Sequence, residues 1–148
     1  MVRHTACMLK PSHKRLKAFD CSCFSWEGCE FYELLFEQKP VTTNAERASN
    51  RWVRADLTKV WRELAFYKSV GLPKAQWLVV IAQPSQEKGR LQDVAACNPS
   101  VKAIIDGFVD RKIIPDDSGI FVPEVRFLPA VRGKNGLKIK IVLKRLNT

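Results

Sequence analysis

The 148-residue chain contains no apolar run near the roughly 18 residues that a membrane-spanning helix needs. Its beginning, MVRHTACMLKPSHKR, has basic residues but no continuous apolar segment, so a secretory signal peptide is not expected. Internal repeats and low-complexity tracts are also lacking. Because ordinary domains have about 100 to 200 residues, we expect one domain. Since the sequence predicts neither a membrane-spanning helix nor a signal peptide, we also expect it to be cytoplasmic and without a membrane partner.

Acidic residues are scarce: 15 stand against 25 lysines and arginines, and the formal net charge is +10. A charge of this size favours a polyanionic partner, with nucleic acid first and an anionic membrane surface second. A soluble protein that is merely basic is the simpler alternative. At 46% hydrophobic residues, the chain can build a proper core, which excludes a wholly disordered protein.

Histidine and cysteine are nearly confined to the beginning of the chain. Residues 1–30 hold both histidines and four of the five cysteines, and they lack clear periodicity. We interpret residues 1–30 as an N-terminal extension, partly ordered at best, and residues 31–148 as the domain. Cys21, Cys23, Cys29 and His13 form a possible zinc knuckle, but the C-x-C spacing is unusual and free thiols are a simpler interpretation.

The rest of the chain predicts an α+β fold in the order β-α-β-α-β-β, with two helices on one face of a mixed sheet. The predicted strands are 31–38, 76–83, 120–128 and 137–145, and the predicted helices are 51–70 and Pro99 to about Ile113. A polar loop (39–50) whose Ser49 or Asn50 caps the first helix, and a charged connection (84–90), complete the prediction. The expected core-facing stripes are Val53, Leu57, Val60, Leu64 and Tyr67 in the first helix, and Val101, Ile104, Ile105, Phe108 and Val109 in the second.

Five of the scarce acids fall within one short stretch: Asp93, Asp106, Asp110, Asp116 and Asp117. Hydrolysis of a phosphodiester requires charge neutralisation at the phosphate, and carboxylates provide it by holding Mg²⁺ or Mn²⁺. Hard oxygen ligands suit these cations, whereas the later chain has no set of residues typical of zinc. The alternative is that Asp116-Asp117-Ser118-Gly119 is simply a turn.

The stretch DVAACNPSVKAIIDGFVDRKIIPDDSGIFV resembles the RusA-type Holliday junction resolvases of bacteria, prophages and phages. In that family an acidic motif leads into a helix with a lysine, which continues as K-A-x-x-D-x-L and ends in a hydrophobic pair and D-D. Lys102, Asp106 and the Asp116-Asp117 pair fall at matching spacings. FEQKPVTTNAERASNRW is similar to the family's opening strand and polar loop, so the resemblance covers about residues 31–146.

The resemblance implies an Mg²⁺-dependent endodeoxyribonuclease, with Mn²⁺ as a substitute, that resolves four-way DNA junctions in recombination and repair as a homodimer. It would be cytoplasmic and associated with the nucleoid. By matching positions, Asp93 is the first motif aspartate, Asp117 the later essential one and Lys102 the catalytic lysine. The implied metal ligands are Asp93, Asp106, Asp116 and Asp117. The alternative for Lys102 is a solvated helix face paired with Asp106.

The acidic motif departs from the family pattern. The family often has Asp-x-Asp-Asn, whereas this chain has Asp93-Val94-Ala95-Ala96. Ala95 stands where a second carboxylate is expected, and its loss should weaken metal binding. Either Asp106 or Asp116 compensates, or the chain is a catalytically weak or inactive DNA-binding relative.

The end of the chain is strongly basic, with seven lysines and arginines and no acid from Arg126 onward. Lys138, Lys140 and Lys144 alternate with apolar residues and are interpreted as a phosphate-binding strand face, extended by Arg51, Arg54 and Arg90. The alternative is that these lysines protect an edge strand from aggregation. Trp52, Trp61 and Phe66 exceed what one helix stripe needs and are compatible with a dimer, with ordinary core packing as the alternative for each of them. A basic structural protein with an incidental aspartate cluster also remains open.

Overall fold

Five strands and three helices make up residues 28–147, which are the residues that the computed structural model describes. In chain order they are β1 (Glu30–Phe36), α1 (Thr43–Ala48), α2 (Arg51–Lys68), β2 (Ala75–Gln86), α3 (Asn98–Asp110), β3 (Glu124–Phe127), β4 (Val131–Arg132) and β5 (Gly136–Arg145). The predicted α+β class is confirmed. Within the described part of the chain, no helix is long and apolar enough to cross a membrane. Most of the predicted N-terminal extension lies outside the described residues, as do His13, Cys21 and Cys23 of the zinc hypothesis.

The strands form one mixed sheet in the order β1-β5-β2-β3, and β4 pairs with β2 beyond the end of β3. β5 is antiparallel to both β1 and β2, whereas β3 and β4 run parallel to β2. The last strand of the chain therefore lies inside the sheet. The interpretation that its lysines protect an edge is wrong, because β5 has hydrogen-bonded neighbours on both sides.

The main core lies between the helices and one face of the sheet. The alternation in β5 is confirmed, because Leu137, Ile139, Ile141 and Leu143 are fully buried in this core. The predicted stripe of α3 is confirmed as well, with Val101, Ile104, Ile105 and Phe108 buried. Trp61 of α2 packs against Phe36 of β1, with ring centroids 5.4 Å apart. The opposite face of the sheet carries a smaller buried cluster that contains Val79, Ile81 and Val142.

Helix α2 begins as predicted, but its buried side matches the predicted stripe only in part. Asn50 is its cap, and its side-chain oxygen accepts a hydrogen bond from the Val53 amide at 2.9 Å. Trp61 and Ala65 are buried, and Leu57 and Leu64 of the predicted stripe are partly buried, Leu64 against the main core. The other stripe residues, Val53, Val60 and Tyr67, are exposed. The reason is the approach of α3: a Cβ at Gly107 would lie 2.6 Å from the Ala65 Cβ, so the contact runs through Ala65.

Two further predictions of loop and strand are wrong. The polar loop 39–50 contains α1, which Thr42 caps by accepting a hydrogen bond from the Ala45 amide at 3.2 Å. The predicted connection from Pro84 onward continues β2 to Gln86. The backbone groups of Leu78, Ala82 and Gln86 form hydrogen bonds on the β3 side of β2, so the backbone of residue 84 faces the same side. Residue 84 lies between the segments of β2 that pair with β3 and β4, where no strand needs the N–H that Pro84 lacks.

Helix α3 and strand β3 are shorter than predicted. α3 ends at Asp110 because Lys112 has a φ of 61°, which turns the chain and lets the Ile113 amide bond to the Phe108 carbonyl at 3.0 Å. β3 covers only Glu124–Phe127. The preceding residues form a turn in which the Ser118 carbonyl accepts hydrogen bonds from the Phe121 and Val122 amides.

Candidate active site

The outward side of α3 carries the two charged residues predicted for the site. Pro99 stands in the first turn, where its missing N–H is not needed, and the apolar residues anchor the opposite side in the core. Lys102 and Asp106 are one turn apart on the exposed side. Their positions are therefore fixed by a helix whose packing does not involve them.

Lys102 joins this helix to the loop that follows it. Its Nζ donates a hydrogen bond to Asp106 Oδ1 at 2.7 Å and a second one to Asp117 Oδ2. The side chains of Lys102 and Asp117 are 55% and 42% exposed, so a large anionic ligand can reach them. The structure thus brings together Lys102, Asp106 and Asp117, which we call the ammonium cluster.

Lys102 and Asp117 of the ammonium cluster keep their charges at neutral pH. Partial burial opposes the charged form of Lys102, but its hydrogen bonds to Asp106 and Asp117 outweigh this effect and raise its pKa. The hydrogen bond from Lys102 lowers the pKa of Asp117. Lys102 is consequently a fixed positive charge and not a proton acceptor.

Asp116 takes part in a local turn beside the cluster. Its Oδ1 accepts a hydrogen bond from the Ser118 amide at 2.7 Å, which is the usual geometry of an aspartate-initiated turn. The interpretation of DDSG as a turn is therefore confirmed. This turn is also what presents the neighbouring Asp117 to Lys102, so the structural and the functional interpretations of the pair are compatible.

Asp93 lies in different surroundings. Its side chain is 82% exposed, and its charged neighbour is Arg90, with 3.6 Å between Arg90 Nη2 and Asp93 Oδ1. It belongs to a turn in which Ala95 has a φ of 67°. Residues 28–147 contain no group of three or more His, Cys, Asp or Glu side chains arranged to hold a metal ion. The assignment of Asp93 as a ligand stays a prediction.

Asp106 and Asp117 have donor chemistry that suits Mg²⁺. Their carboxylate oxygens contact the same ammonium and so lie near each other. Mg²⁺ is commonly bound by one or two carboxylates together with substrate phosphates, so these two residues fit the ion. The Lys102 ammonium is a competing cation for the same oxygens. Asp110, the fifth acid of the stretch, is held elsewhere, because Arg62 Nη2 donates to its Oδ1 at 2.7 Å.

The residues predicted to bind nucleic acid fall into two groups. Arg51, Arg54 and Arg90 are exposed, and Arg51 lies over the Trp52 ring at 5.2 Å. The lysines of β5 lie on the sheet face opposite the helices. There Lys140 is only 5% exposed, and Lys138 Nζ lies 3.9 Å from Glu33 Oε1. Burial of Lys140 argues against its contact with a phosphate.

One polar region was missed by the sequence interpretation. Thr42, Asn44, Arg90, Gln92 and Asp93 line a cavity of about 210 Å³. Of these residues, the sequence predicted a functional role for Arg90 and Asp93. It predicted none for Asn44 and Gln92, because an isolated amide carries no signal of charge or periodicity. The polar composition of the loop 39–50 was the available hint.

The chain matches no protein-family model and no curated protein. The resemblance to the RusA-type resolvases therefore depends on the motif residues themselves.

Proposed function

We propose that the chain is an Mg²⁺-dependent, structure-selective endodeoxyribonuclease that cuts four-way DNA junctions in recombination and repair, with Mn²⁺ as a substitute. The observation that carries this proposal is the ammonium cluster. It places a protonated lysine and two carboxylates at one exposed site of a protein with a net charge of +10. The positions of these three residues also match the motif of the RusA-type resolvases.

Each member of the cluster has a separate role in the proposal. Asp106 and Asp117 hold the divalent cation, which supplies charge neutralisation at the phosphate. Lys102 stabilises the additional negative charge of the phosphate oxygens in the transition state. To do so, its ammonium exchanges a carboxylate partner for a phosphate oxygen. Both partners are anionic oxygen acceptors, and the exposure of Lys102 permits the exchange.

Phosphate contacts outside the cluster come from the exposed arginines Arg51, Arg54 and Arg90. Such contacts position a DNA backbone without reading its bases, as selectivity for branched structure requires. Because binding of this kind releases counterions, affinity for DNA should fall steeply with salt. Binding that does not weaken in salt would argue against these contacts.

A catalytically inactive DNA-binding protein is the second candidate. It is favoured by the pairing of Lys102 with both carboxylates and by Ala95, which brings no ligand to the turn of Asp93. In this alternative the cluster is a structural ion-pair network. The same charge distribution would bind the junction without cutting it.

The proposed homodimer has a candidate surface on α2. Val53, Val60 and Tyr67 are exposed at intervals of seven residues, and Val60 stands at the middle of the helix. An antiparallel second copy would place Val60 against Val60 and Val53 against Tyr67, a pairing that twofold symmetry repeats on both sides. Val60→Lys should convert a dimer into a monomer in sedimentation equilibrium. Thr58→Lys, which adds the same charge at another exposed position of α2, is the control.

The decisive experiment is cleavage of a synthetic four-way junction in Mg²⁺ or Mn²⁺, with binding measured in parallel by mobility shift. Asp117→Asn should abolish cutting and leave binding intact, whereas Asp56→Asn, which changes an exposed carboxylate on α2, should retain both cutting and binding. Cleavage of the junction by the Asp117→Asn variant would contradict the assignment of the site. Tight binding of the junction without cutting in either metal would establish the second candidate.

A further inference from the structure

A larger cavity lies where the end of α3 meets the beginning of β2. Its volume is about 540 Å³, which is within the range of roughly 300–1,000 Å³ typical of binding pockets. The lining is mainly apolar and includes Val109, Pro115, Phe121 and Leu146. No residue of the ammonium cluster lines this space, which we call the α3–β2 cavity.

One wall of the α3–β2 cavity belongs to the segment that connects α3 with β3, and this segment is fixed at both ends. The Ala75 amide donates to the Ile113 carbonyl at 2.8 Å, and the Leu78 amide donates to the Phe121 carbonyl at the same distance. Between these two anchors lies the turn that presents Asp117 to Lys102. The wall is therefore in place before any ligand binds, and a ligand would touch both sides of that turn.

The charged residues of the cavity are all of one sign. Lys74 and Lys112 belong to its lining and are exposed, whereas Ile113 and Ile114 are buried deeper in it. None of the described residues that line the cavity is acidic. Because the inside is apolar and the rim is positive, the complementary ligand has an apolar part that enters and a negative charge that stays outside.

The open side of the cavity favours a peptide over a small molecule. Pockets for small ligands usually enclose about 70–90% of the ligand surface, whereas Gln76, Pro115 and Leu146 at this mouth are exposed. An anchoring side chain of a larger partner needs enclosure only on its inner side, because the rest of the partner covers the mouth. Since a cavity of about 150 Å³ holds a benzene ring, there is room for more than one apolar side chain.

We propose that the α3–β2 cavity is the docking site for an acidic peptide segment of a partner protein. Apolar side chains of this segment enter the cavity, and its carboxylates pair with Lys74 and Lys112. The net charge of +10 assists the approach of such a segment. This inference goes beyond the proposed function and does not rest on it, because docking of the peptide requires neither DNA nor a metal ion.

The first test is binding of three peptides to the full-length chain, measured by isothermal titration calorimetry. The peptide EDFLEDFL has acidic and apolar residues, EDSSEDSS lacks the apolar ones, and KKFLKKFL reverses the charge. EDFLEDFL should bind at least about tenfold more tightly than either of the others. Equal binding of EDFLEDFL and EDSSEDSS would show that charge alone attracts them, and no binding of EDFLEDFL at about 1 mM would also overturn the inference.

Two variants of the cavity test the location of the peptide, each with a matched control. Leu146→Glu places a carboxylate in the apolar lining, and Val131→Glu makes the same change at a position of similar exposure, 43% against 45%. Lys74→Glu/Lys112→Glu reverses the charge of the rim, and Lys88→Glu/Lys134→Glu does so at two other exposed lysines. The cavity variants should weaken binding of EDFLEDFL by at least about tenfold, and the controls by less than about twofold. Equal losses in a cavity variant and its control would contradict the location.

A second measurement separates the peptide from other occupants. In an NMR titration of the full-length chain, EDFLEDFL should shift the backbone amide signals of Lys112 and Phe121, which lie on the cavity wall. Decanoate, a small apolar carboxylate, should cause weaker shifts and should not displace the peptide. Tighter binding of decanoate would make the cavity a small-molecule site, and equal shifts caused by a four-way junction would make it part of the DNA-binding surface. Either result would overturn the inference.

Discussion

The two halves of the candidate site differ in how the fold holds them. The ammonium cluster has Lys102 and Asp106 on a helix whose other side is buried, and Asp117 is held to Lys102 by a hydrogen bond. Asp93 stands on an exposed turn, 3.6 Å from a similarly exposed arginine. One half is positioned before any ligand binds, whereas the other half has to be ordered by what it binds.

This difference indicates which carboxylates should contribute most to stabilising the transition state of the proposed reaction. A group that is already in place loses little conformational freedom on binding, while an exposed side chain must be immobilised first. We therefore expect the larger share of transition-state stabilisation from the cluster.

The largest effect should separate the two halves directly. Lys102→Met and Asp117→Asn should each slow junction cleavage by at least about 100-fold, as is typical when a preorganised charged group is removed. Asp93→Asn should lose only about tenfold, a change of roughly 1.4 kcal/mol. Single-turnover rates at saturating protein give the comparison. The double variant Lys102→Met/Asp117→Asn should be little slower than either single variant, and equal losses in all three single variants would contradict the ranking.

The packing behind the cluster can be broken by Gly107→Ala. The added Cβ would lie 2.6 Å from both the Ala65 Cβ and the Arg62 carbonyl oxygen, so α2 and α3 must move apart. We expect a loss of about 2 kcal/mol in the free energy of unfolding, measured by urea denaturation. Gly119→Ala, where a Cβ meets nothing within 4 Å, is the control and should be nearly neutral. An unchanged midpoint for Gly107→Ala would show that the helices are not packed this closely.

The weaker half can be strengthened by Ala95→Asp. Ala95 has a φ of 67°, a conformation that aspartate adopts more readily than most residues, so the backbone accepts the change. A new carboxylate next to Asp93 should lower the Mn²⁺ concentration for half-maximal cleavage by up to about tenfold. Ala95→Asn, which fits the same backbone without the charge, is the control. An unchanged metal requirement would mean that this turn contributes no ligand.

The smallest effect concerns the ion pair between α2 and α3. Arg62 holds Asp110 through two hydrogen bonds, and this contact lowers the pKa of Asp110. The pair is largely exposed, so Arg62→Gln should cost only about 0.5 kcal/mol at pH 7. A lowered carboxyl pKa gives stability that is present above the unfolded value near 4 and is lost as the pH falls through the folded value. The difference in unfolding free energy should therefore shrink as the pH falls below the unfolded carboxyl value near 4.

The sequence predicted those helices and strands whose buried side follows from a local pattern of apolar residues. The α3 stripe and the alternation in β5 are clear because each faces a single large apolar surface. The exposure of Val53 and Val60 was not predictable, because an apolar stripe does not say which surface will cover it, and the covering contact was decided by Gly107 and Ala65. The contact of Lys102 with Asp106 follows from their spacing on a helix, whereas that with Asp117 depends on the turn at Asp116.

The position of β5 has a consequence for how the protein is made. The first strand of the sheet and the second, β1 and β2, are both hydrogen-bonded to the last strand and not to each other. During synthesis these two strands lack their common neighbour until residues 136–145 have left the ribosome, so the sheet can close only after that segment is made. A chain that stops before residue 136 lacks the strand that joins its two halves, and we expect proteolysis to remove it instead of leaving a partly active fragment.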